Sequence, residues 1–564
     1  MLQRDEKSMK FWFASGEPWV WMNAAAVAIS IIAVVGLLGL IAVRGLAHFW
    51  PADVHQITLH DDDRQVVILG EKVESETIPA RIYRESNASR GDNRAEGLDV
   101  VERWLVKVGN RRYAPPDFRW IYSHDIISTE LPEDVWALER TEWGNAYGRL
   151  VGVLDDGEPV GTLDSVETDF LTRLEQANTI REQVQELESS TLNGINYELE
   201  QLRLEERRLA LQELAPSELE NSLLQIEAAR SELDAQYRVA EQELRSLNET
   251  LELSSIQLTL SDGRTVTIHI GEIVRAWQPN AMSTVEKLGH YFGSIGLFLT
   301  ENPREANTEG GIFPAIFGTV LMVMLMSVLV TPFGVIAAIY LREYARQGPF
   351  VRLIRIAVNN LAGVPSIVYG VFGLGFFVYF IGGSLDELFY PEALPTPTFG
   401  TPGLMWASLT LALLTVPVVV VSTEEGLTRI PRSLREGSLA LGATKAETLF
   451  RVILPMASPS ILTGVILAIA RAAGEVAPLM LVGVVKLAPT LPMDGNFPFI
   501  HLERKFMHLG FHIYDVGFQS PNVEAARPLV YATALLLVFI IVVLNLTAIM
   551  LRNRLEQRYR GVES

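Results

Sequence analysis

The chain has 564 residues, 49% of them hydrophobic, and its 47 Lys or Arg against 67 Asp or Glu leave a formal net charge of -20. That acidity excludes a nucleic-acid binder working through a basic surface, and the absence of cysteine leaves any external domain to be held by its core alone, without disulfides. The acid is concentrated: residues 165–252 hold 20 Asp or Glu against 8 Arg, a net of -12, which reads as the solvated faces of long helices.

In chain order, residues 1–20 carry Arg4, Lys7 and Lys10 ahead of a first apolar run, 21–43. This run is longer than a signal-peptide core, and Arg44-Gly45-Leu46-Ala47-His48 offers no small-x-small cleavage site, so a retained anchor is expected. Five further runs, 312–341, 353–381, 404–421, 461–485 and 529–551, reach or approach the roughly 20 apolar residues that cross a bilayer. Basic residues collect between runs two and three (Arg342, Arg346, Arg352, Arg355), between four and five (Arg429, Arg432, Arg435, Lys445, Arg451) and after six (Arg552, Arg554, Arg558, Arg560). That bias predicts a cytoplasmic N-terminus, a cytoplasmic tail 552–564 and an external segment 44–311; Arg504 and Lys505, in the outer loop 486–528, oppose it mildly.

Within the external segment, Leu223, Ile226, Leu233, Tyr237, Ala240, Leu244, Leu247 and Leu251 continue a three-four spacing from Leu219, broken only by Arg230. A less regular series precedes it: Phe170, Leu174, Ala177, Ile180, Val184 and Leu187, then Ile195, Leu199, Leu202 and Leu209, with a phase slip near Gly194. Ala215-Pro216-Ser217 separates them, and Ser217 with Glu220 offers a capping box. The spacing predicts an antiparallel coiled-coil hairpin over 165–252, each arm on the order of 50 Å long. "SIQLTLSDGRTVTIHI" alternates on both sides of Asp262-Gly263 and predicts a β-hairpin; "QVVILG" and "FRWIYS" are weaker strand candidates. A β-rich base with a projecting hairpin follows, suited to a spacer, a docking surface or a lid. His55, His60 and His124 lack metal-ligand spacing, and Asp61-Asp62-Asp63 lacks the glycine and glutamate of a calcium loop, reading as a solvated turn.

The segment 423–456 is neither apolar enough to span nor loose enough to be a linker. Glu436, a small pair, three residues, Gly442, nine residues, Val452 and then Leu454-Pro455 match E-A-A-x3-G-x9-I-x-L-P, with Gly437-Ser438 in place of the alanines. This resembles the coupling loop of binding-protein-dependent ABC importer permeases. The residues fit it: Gly442 takes a positive φ cheaply, 443–450 can form a second short helix from Ala443, and Pro455 is expected to stop the segment before it re-enters the membrane. "NNLAGVPSIVYGVFGLG" (359–375) and "ARAAGEVAPLMLVG" (470–483) resemble the phosphate-specific importer permeases, the A-type subunit PstA more than its PstC partner, over about 270–551; the external domain fits the long variants of that family.

The resemblance implies a mainly α-helical polytopic membrane protein, with six transmembrane helices and a permease domain over 312–551, plus an external α+β domain carrying the coiled-coil hairpin. It implies an inner-membrane subunit working with a PstC-type permease, a PstB-type ATPase dimer and a periplasmic phosphate-binding protein, with ATP and Mg bound by the ATPase; no G-x-x-x-x-G-K-[ST] occurs here. From the residues, Arg471 and Glu475 are expected one helical turn apart on run five, where charge is costly and marks a pathway or an ion pair. Gly363-Val364-Pro365-Ser366 is expected to break run three at membrane depth, freeing backbone amides near Ser366 for an anion or marking a packing kink. Two other readings remain: a permease for sulfate or molybdate, and a membrane-anchored coiled-coil sensor or scaffold.

Overall fold

The computed structural model describes residues 15–61, 64–86, 99–162, 165–212, 215–520 and 523–560. Arg4, Lys7, Lys10, Asp62 and Asp63 lie outside the described residues.

Among the described residues six helices are long and apolar enough to cross a membrane: Glu17–Ala47, Phe313–Tyr344, Ser366–Phe389, Leu404–Arg429, Lys445–Ala473 and Ala526–Arg554, spans one to six. Span four is the hub. Leu404, Leu411, Leu414, Val419 and Leu427 are fully buried, and span four packs with Met322, Met326 and Val330 of span two and Ala468 and Ala472 of span five. Small residues set the approach distance. A Cβ on Gly334 would lie 2.6 Å from Val419 Cγ1, and one on Gly464 would lie 2.7 Å from Ser422 Cβ, so larger side chains would push the helices apart and forfeit dispersion contacts. Buried hydroxyls are returned to their own helices, Thr415 to the Leu411 carbonyl at 2.8 Å and Thr319 to that of Ala315 at 2.7 Å, which removes the cost of an unpaired polar group.

Two runs divide differently from the sequence expectation. In run three, Pro349–Leu361 is a separate amphipathic helix, with Val351 buried and Phe350 and Leu353 exposed. Pro365 is the N-cap of the next helix, which begins at Ser366; its ring forbids a helical residue before it. The break therefore falls between two helices, immediately before Ser366. In run five the helix begins at Lys445 and ends at Ala473, with Gly474 as its C-cap. Pro455 does not stop it. A π turn, Leu449–Ile453, lets the Leu454 amide reach the Leu449 carbonyl, and that shift of the ladder accommodates a residue with no N–H to give.

The extramembrane part is built on two antiparallel sheets. One has the order β4-β3-β2-β1-β5, from β1 (Val54–Asp61), β2 (Arg64–Pro79), β3 (Val100–Lys107), β4 (Phe118–Tyr122) and β5 (Ile126–Glu130). The other, order β10-β9-β7-β6-β11 with β8 beside β7, uses β6 (Val135–Arg140), β7 (Ala146–Asp155), β8 (Glu158–Val160), β9 (Ser254–Thr259), β10 (Thr265–His269) and β11 (Ile273–Trp277). The hairpin around Asp262-Gly263 forms as β9 and β10, Ile256 opposite Ile268, with Gly263 at φ +80°.

Two helical arms leave the second sheet. The first runs Val166–Glu186, a π segment Leu187–Leu192, then Asn193–Leu211; the wider π turn is the physical form of the phase slip near Gly194. The second, Pro216–Leu253, begins with Ala215 as N-cap and no side-chain cap. Ser217 is thus inside the helix and not its cap, because proline at the first position already has the right φ and no amide to satisfy. Arg230, the break in the apolar series, pairs with Glu206 of the first arm at 2.8 Å. The arms do not project freely. The Tyr197 hydroxyl donates to the Phe497 carbonyl, its ring meets that of His501 at 6.1 Å, and Arg208 pairs with Glu392 at 3.1 Å. The first arm thereby bridges the loop after span three to the loop after span five.

Candidate functional site

Two groups of residues are the candidates for function, at different places in the bundle. The first is a knob between spans four and five. The helix Arg432–Ala440 and the start of the Lys445 helix are joined by a turn in which Gly442 has φ +89°, a value that L side chains reach only with strain. Thr444 and Glu447 form a complete capping box, the Glu447 amide donating to Thr444 Oγ1 at 3.2 Å and the Thr444 amide to Glu447 Oε2 at 2.8 Å. The second helix therefore starts at Lys445, two residues after Ala443. Ser438 and Thr448 hydroxyls join the two helices at 2.9 Å. Glu436 is exposed, Ala443 is half-buried, and Leu441 at the tip is 92% exposed, as is most of Phe450.

The base of the knob is tied to the rest of the bundle. Arg435 pairs with Glu343 at 3.1 Å and donates to the Leu427 carbonyl at 2.7 Å, and Lys445 donates to the Glu343 carbonyl. Beneath them Ile339, Leu427, Ile430, Leu449 and Ile453 form an apolar cluster against which Leu454 packs; Pro455 lies on the next turn and its carbonyl accepts from Ser458 Oγ. The base of the knob is thus packed on the ends of spans two, four and five.

The second group lies where span five ends. Arg471 is in its last turn, Gly474 caps it, and Glu475 lies in the turn beyond, so the two charges are not one turn apart within a helix as expected. They still meet, Arg471 Nε to Glu475 Oε1 at 3.8 Å, with side chains 32% and 24% exposed. This is an ion pair longer than a hydrogen bond, which leaves the guanidinium fork able to bond an oxyanion. The chain then forms the short helix Leu479–Val482, packed against Ser366–Phe372: a Cβ on Gly370 would lie 2.7 Å from Pro478 Cα. Tyr369 donates to the Leu361 carbonyl at 2.6 Å across the break before Ser366, and Tyr369, Val364, Ala472 and Leu479 share one apolar cluster. Half-buried Ser366 and the Arg471-Glu475 pair therefore stand on the same joint of helix ends, without a hydrogen bond between them among the described residues.

Sequence reasoning missed Glu343 and Tyr369, which reach these groups from other elements and carry no local signal. It also missed the Thr444-x-x-Glu447 capping box, which was readable.

A protein family described as "Binding-protein-dependent transport system inner membrane component" matches residues 330–561. The phosphate transport system permease protein PstA 1 of Mycobacterium tuberculosis (strain ATCC 25618 / H37Rv) is 35% identical over 253 residues, 44% of this chain and 72% of that protein. The phosphate transport system permease protein PstA of Yersinia pestis is 34% identical over 256 residues, 45% of this chain and 77% of that one. PstA of Mycobacterium leprae (strain TN) is 39% identical over 188 residues, 33% of this chain, which spans 56% of that relative's length.

Proposed function

We infer the function from family membership: this chain belongs to the PstA family of phosphate transport system permease proteins, and its core is that of a multi-pass ABC importer permease. On that premise we propose that it forms half of a pathway moving inorganic phosphate from periplasm to cytoplasm. The proposal sets the chain in the inner membrane with its N-terminus and knob cytoplasmic and its sheets periplasmic. A PstC-type permease supplies the other half, a PstB-type ATPase dimer binds ATP and Mg and drives the cycle, and a periplasmic binding protein delivers phosphate.

The observation that carries the substrate reading is the loose Arg471-Glu475 pair at 3.8 Å on a broken joint of helices. A planar cation suits an oxyanion, and a carboxylate beside it weakens the hold so that the anion passes on. Coupling would run through Glu436, Gly442 and Ala443 on the knob and Leu454 and Pro455 at its base, docking in the ATPase and moving the ends of spans two, four and five together.

The test is uptake by the reconstituted four-component complex. Arg471→Gln is expected to abolish phosphate uptake at unchanged assembly, since it keeps hydrogen-bonding capacity and removes charge. If the pair were structural, the same change would instead lower the amount of complex, by leaving a carboxylate without its cation. Sulfate or molybdate uptake exceeding that of phosphate would replace the substrate while leaving the permease reading intact.

A further inference from the structure

The sheets do not sit flush on the bundle. Between β2, β3, β6, β11, the helix Thr284–Thr300 and the ends of spans one and six lies a cavity of about 830 Å³, within the size range of ligand pockets. Its sheet side carries both signs, Lys72, Lys107, Arg111 and Arg275 beside Glu71, Glu74, Asp117 and Glu139. On the sheet side Glu71 stands directly opposite Lys107 in the β2-β3 register, which puts both side chains on one face. Glu309 adds a carboxylate whose Oε2 is buried with no hydrogen-bond partner, and Trp277 Nε1 in the same wall is likewise unpaired. Glu139 is the contrast: Arg275, at 2.5 Å, and Arg304 saturate it. Burial pushes the Glu71 and Glu309 carboxyls above their ordinary value, against the pull of Lys107.

On the bundle side the charges are cationic. Arg44, at the end of span one, lies over the Tyr531 ring at 5.6 Å, and Arg527, at the start of span six, reaches Glu74 only at 4.0 Å. Phe298 and Leu529 give the same rim an apolar lining. The helix Thr284–Thr300 presents His290, Ser294 and Phe298 to the cavity, while Val285, Leu288 and Phe292, on another stripe at three- and four-residue steps, are exposed. An amphipathic helix with such a stripe, whose last turn accepts the Ile312 amide at the start of span two at 2.9 Å, lies along a membrane surface, so the cavity adjoins lipid.

Arg44 and Arg527 at the ends of the spans, and the unpaired Glu309 oxygen near Glu71 on the sheet side, match a headgroup whose phosphate sits next to the acyl chains and whose ammonium extends beyond it. We propose that this cavity binds the headgroup of a zwitterionic aminophospholipid, Arg44 and Arg527 holding the phosphodiester and Glu71 and Glu309 receiving the primary ammonium. The unpaired Glu309 oxygen then gains a charged donor, and the bound lipid fastens the extramembrane domain to spans one and six.

The full chain, delipidated in detergent, is titrated by native mass spectrometry with phosphatidylethanolamine, phosphatidylcholine, phosphatidylglycerol and free phosphoethanolamine. Phosphatidylethanolamine is expected to be retained about tenfold better than the other two lipids, because only a primary ammonium donates three hydrogen bonds. Glu71→Gln with Glu309→Gln should erase that preference and leave phosphatidylglycerol retention unchanged. Arg44→Gln with Arg527→Gln, at the rim and outside the sheet core, should weaken all three lipids alike, and it serves where the first pair fails to fold. Equal retention of the three lipids, or rim variants without effect, overturns the proposal; free phosphoethanolamine binding as well as the lipid replaces the membrane source by a soluble one and overturns it too.

Discussion

Gly442 and His512 show how much one position holds. At φ +89°, Gly442→Val forces a β-branched residue into the left-handed region at a cost of about 1–2 kcal/mol, and the turn changes shape although nothing lies within 4 Å of its missing Cβ. The chain should still insert, since the span core is untouched. Substrate-stimulated ATP hydrolysis in the assembled importer should fall about tenfold, the factor matching roughly 1.4 kcal/mol of lost docking; normal uptake at wild-type abundance would remove the knob from the coupling path. His508 and His512 lie between spans five and six, 1% and 2% exposed. Burial holds both imidazoles neutral and lowers them from 6.5 to about 4; at His512, Asp515 opposes weakly. The unfolded chain therefore binds more protons between pH 6.5 and about 4, so their contribution is complete above pH 6.5 and is lost as pH falls through that window. Neither ring nitrogen of His512 has a hydrogen-bond partner, so His512→Leu removes the proton site and little else. Stability at pH 7.5 should change by less than about 1.5 kcal/mol, while the loss between pH 7 and 4 shrinks by roughly 3 kcal/mol. Denaturation midpoints across that range give the answer, and an acid profile identical to the wild type would exclude His512 as the sensitive group.

Among elements, the first helical arm is the one whose behaviour the contacts decide. Tyr197 and Arg208 are eleven residues apart, three turns on one helix face, and each bonds a different loop of the bundle. The Glu392 side chain is only 6% exposed, so its cation matters more than in a surface pair. Tyr197→Phe with Arg208→Gln should release the arm without touching its contacts to Pro216–Leu253. Amide exchange in 193–211 and in the two loops should accelerate by about tenfold or more, as expected for a loss of roughly 1.4 kcal/mol or more in local closure. If the arm is a lid, reconstituted phosphate uptake changes with it; if the arm is a strut or a dock for an envelope partner, uptake with purified components is unchanged.

At the scale of the molecule, the arms and the sheets are less separable than a seam of apolar positions indicates. Phe170, Leu174 and Ala177 are buried among Trp136, Ile256, Leu258 and Ile268, so the first three turns of the arm belong to the sheet core, and Arg173 reaches Ser254 at 2.8 Å. Replacing all of 165–252 by a Gly/Ser linker should therefore unfold the second sheet, since burying Phe170 and Leu174 alone is worth about 1.5–3 kcal/mol each. Replacing only 182–246 should leave the sheets and spans folded, with a thermal midpoint within a few degrees of the parent. Equal stability of the two deletions would show that the arm's base contributes nothing to the core.

What the sequence determined by itself is what short stretches decide. Apolar length marks six spans, Asp262-Gly263 makes its hairpin, Gly442 makes its turn, and the phase slip near Gly194 marks an irregularity in the first arm, because each follows from propensities within about ten residues. Tertiary structure decided where apolar runs stop being spans. Pro349–Leu361 is as apolar in sequence as a membrane edge, yet it is a separate amphipathic helix, and Pro455 passes inside a helix because a neighbouring π turn moves the hydrogen-bond ladder. It alone decided the seating of Tyr197 on a loop 300 residues away, and it alone assembled the cavity whose charges come from the ends of spans one and six, two sheets and the turn at 303–310. Such sites are sums of residues with no common period, and only the folded chain brings their fields to one point.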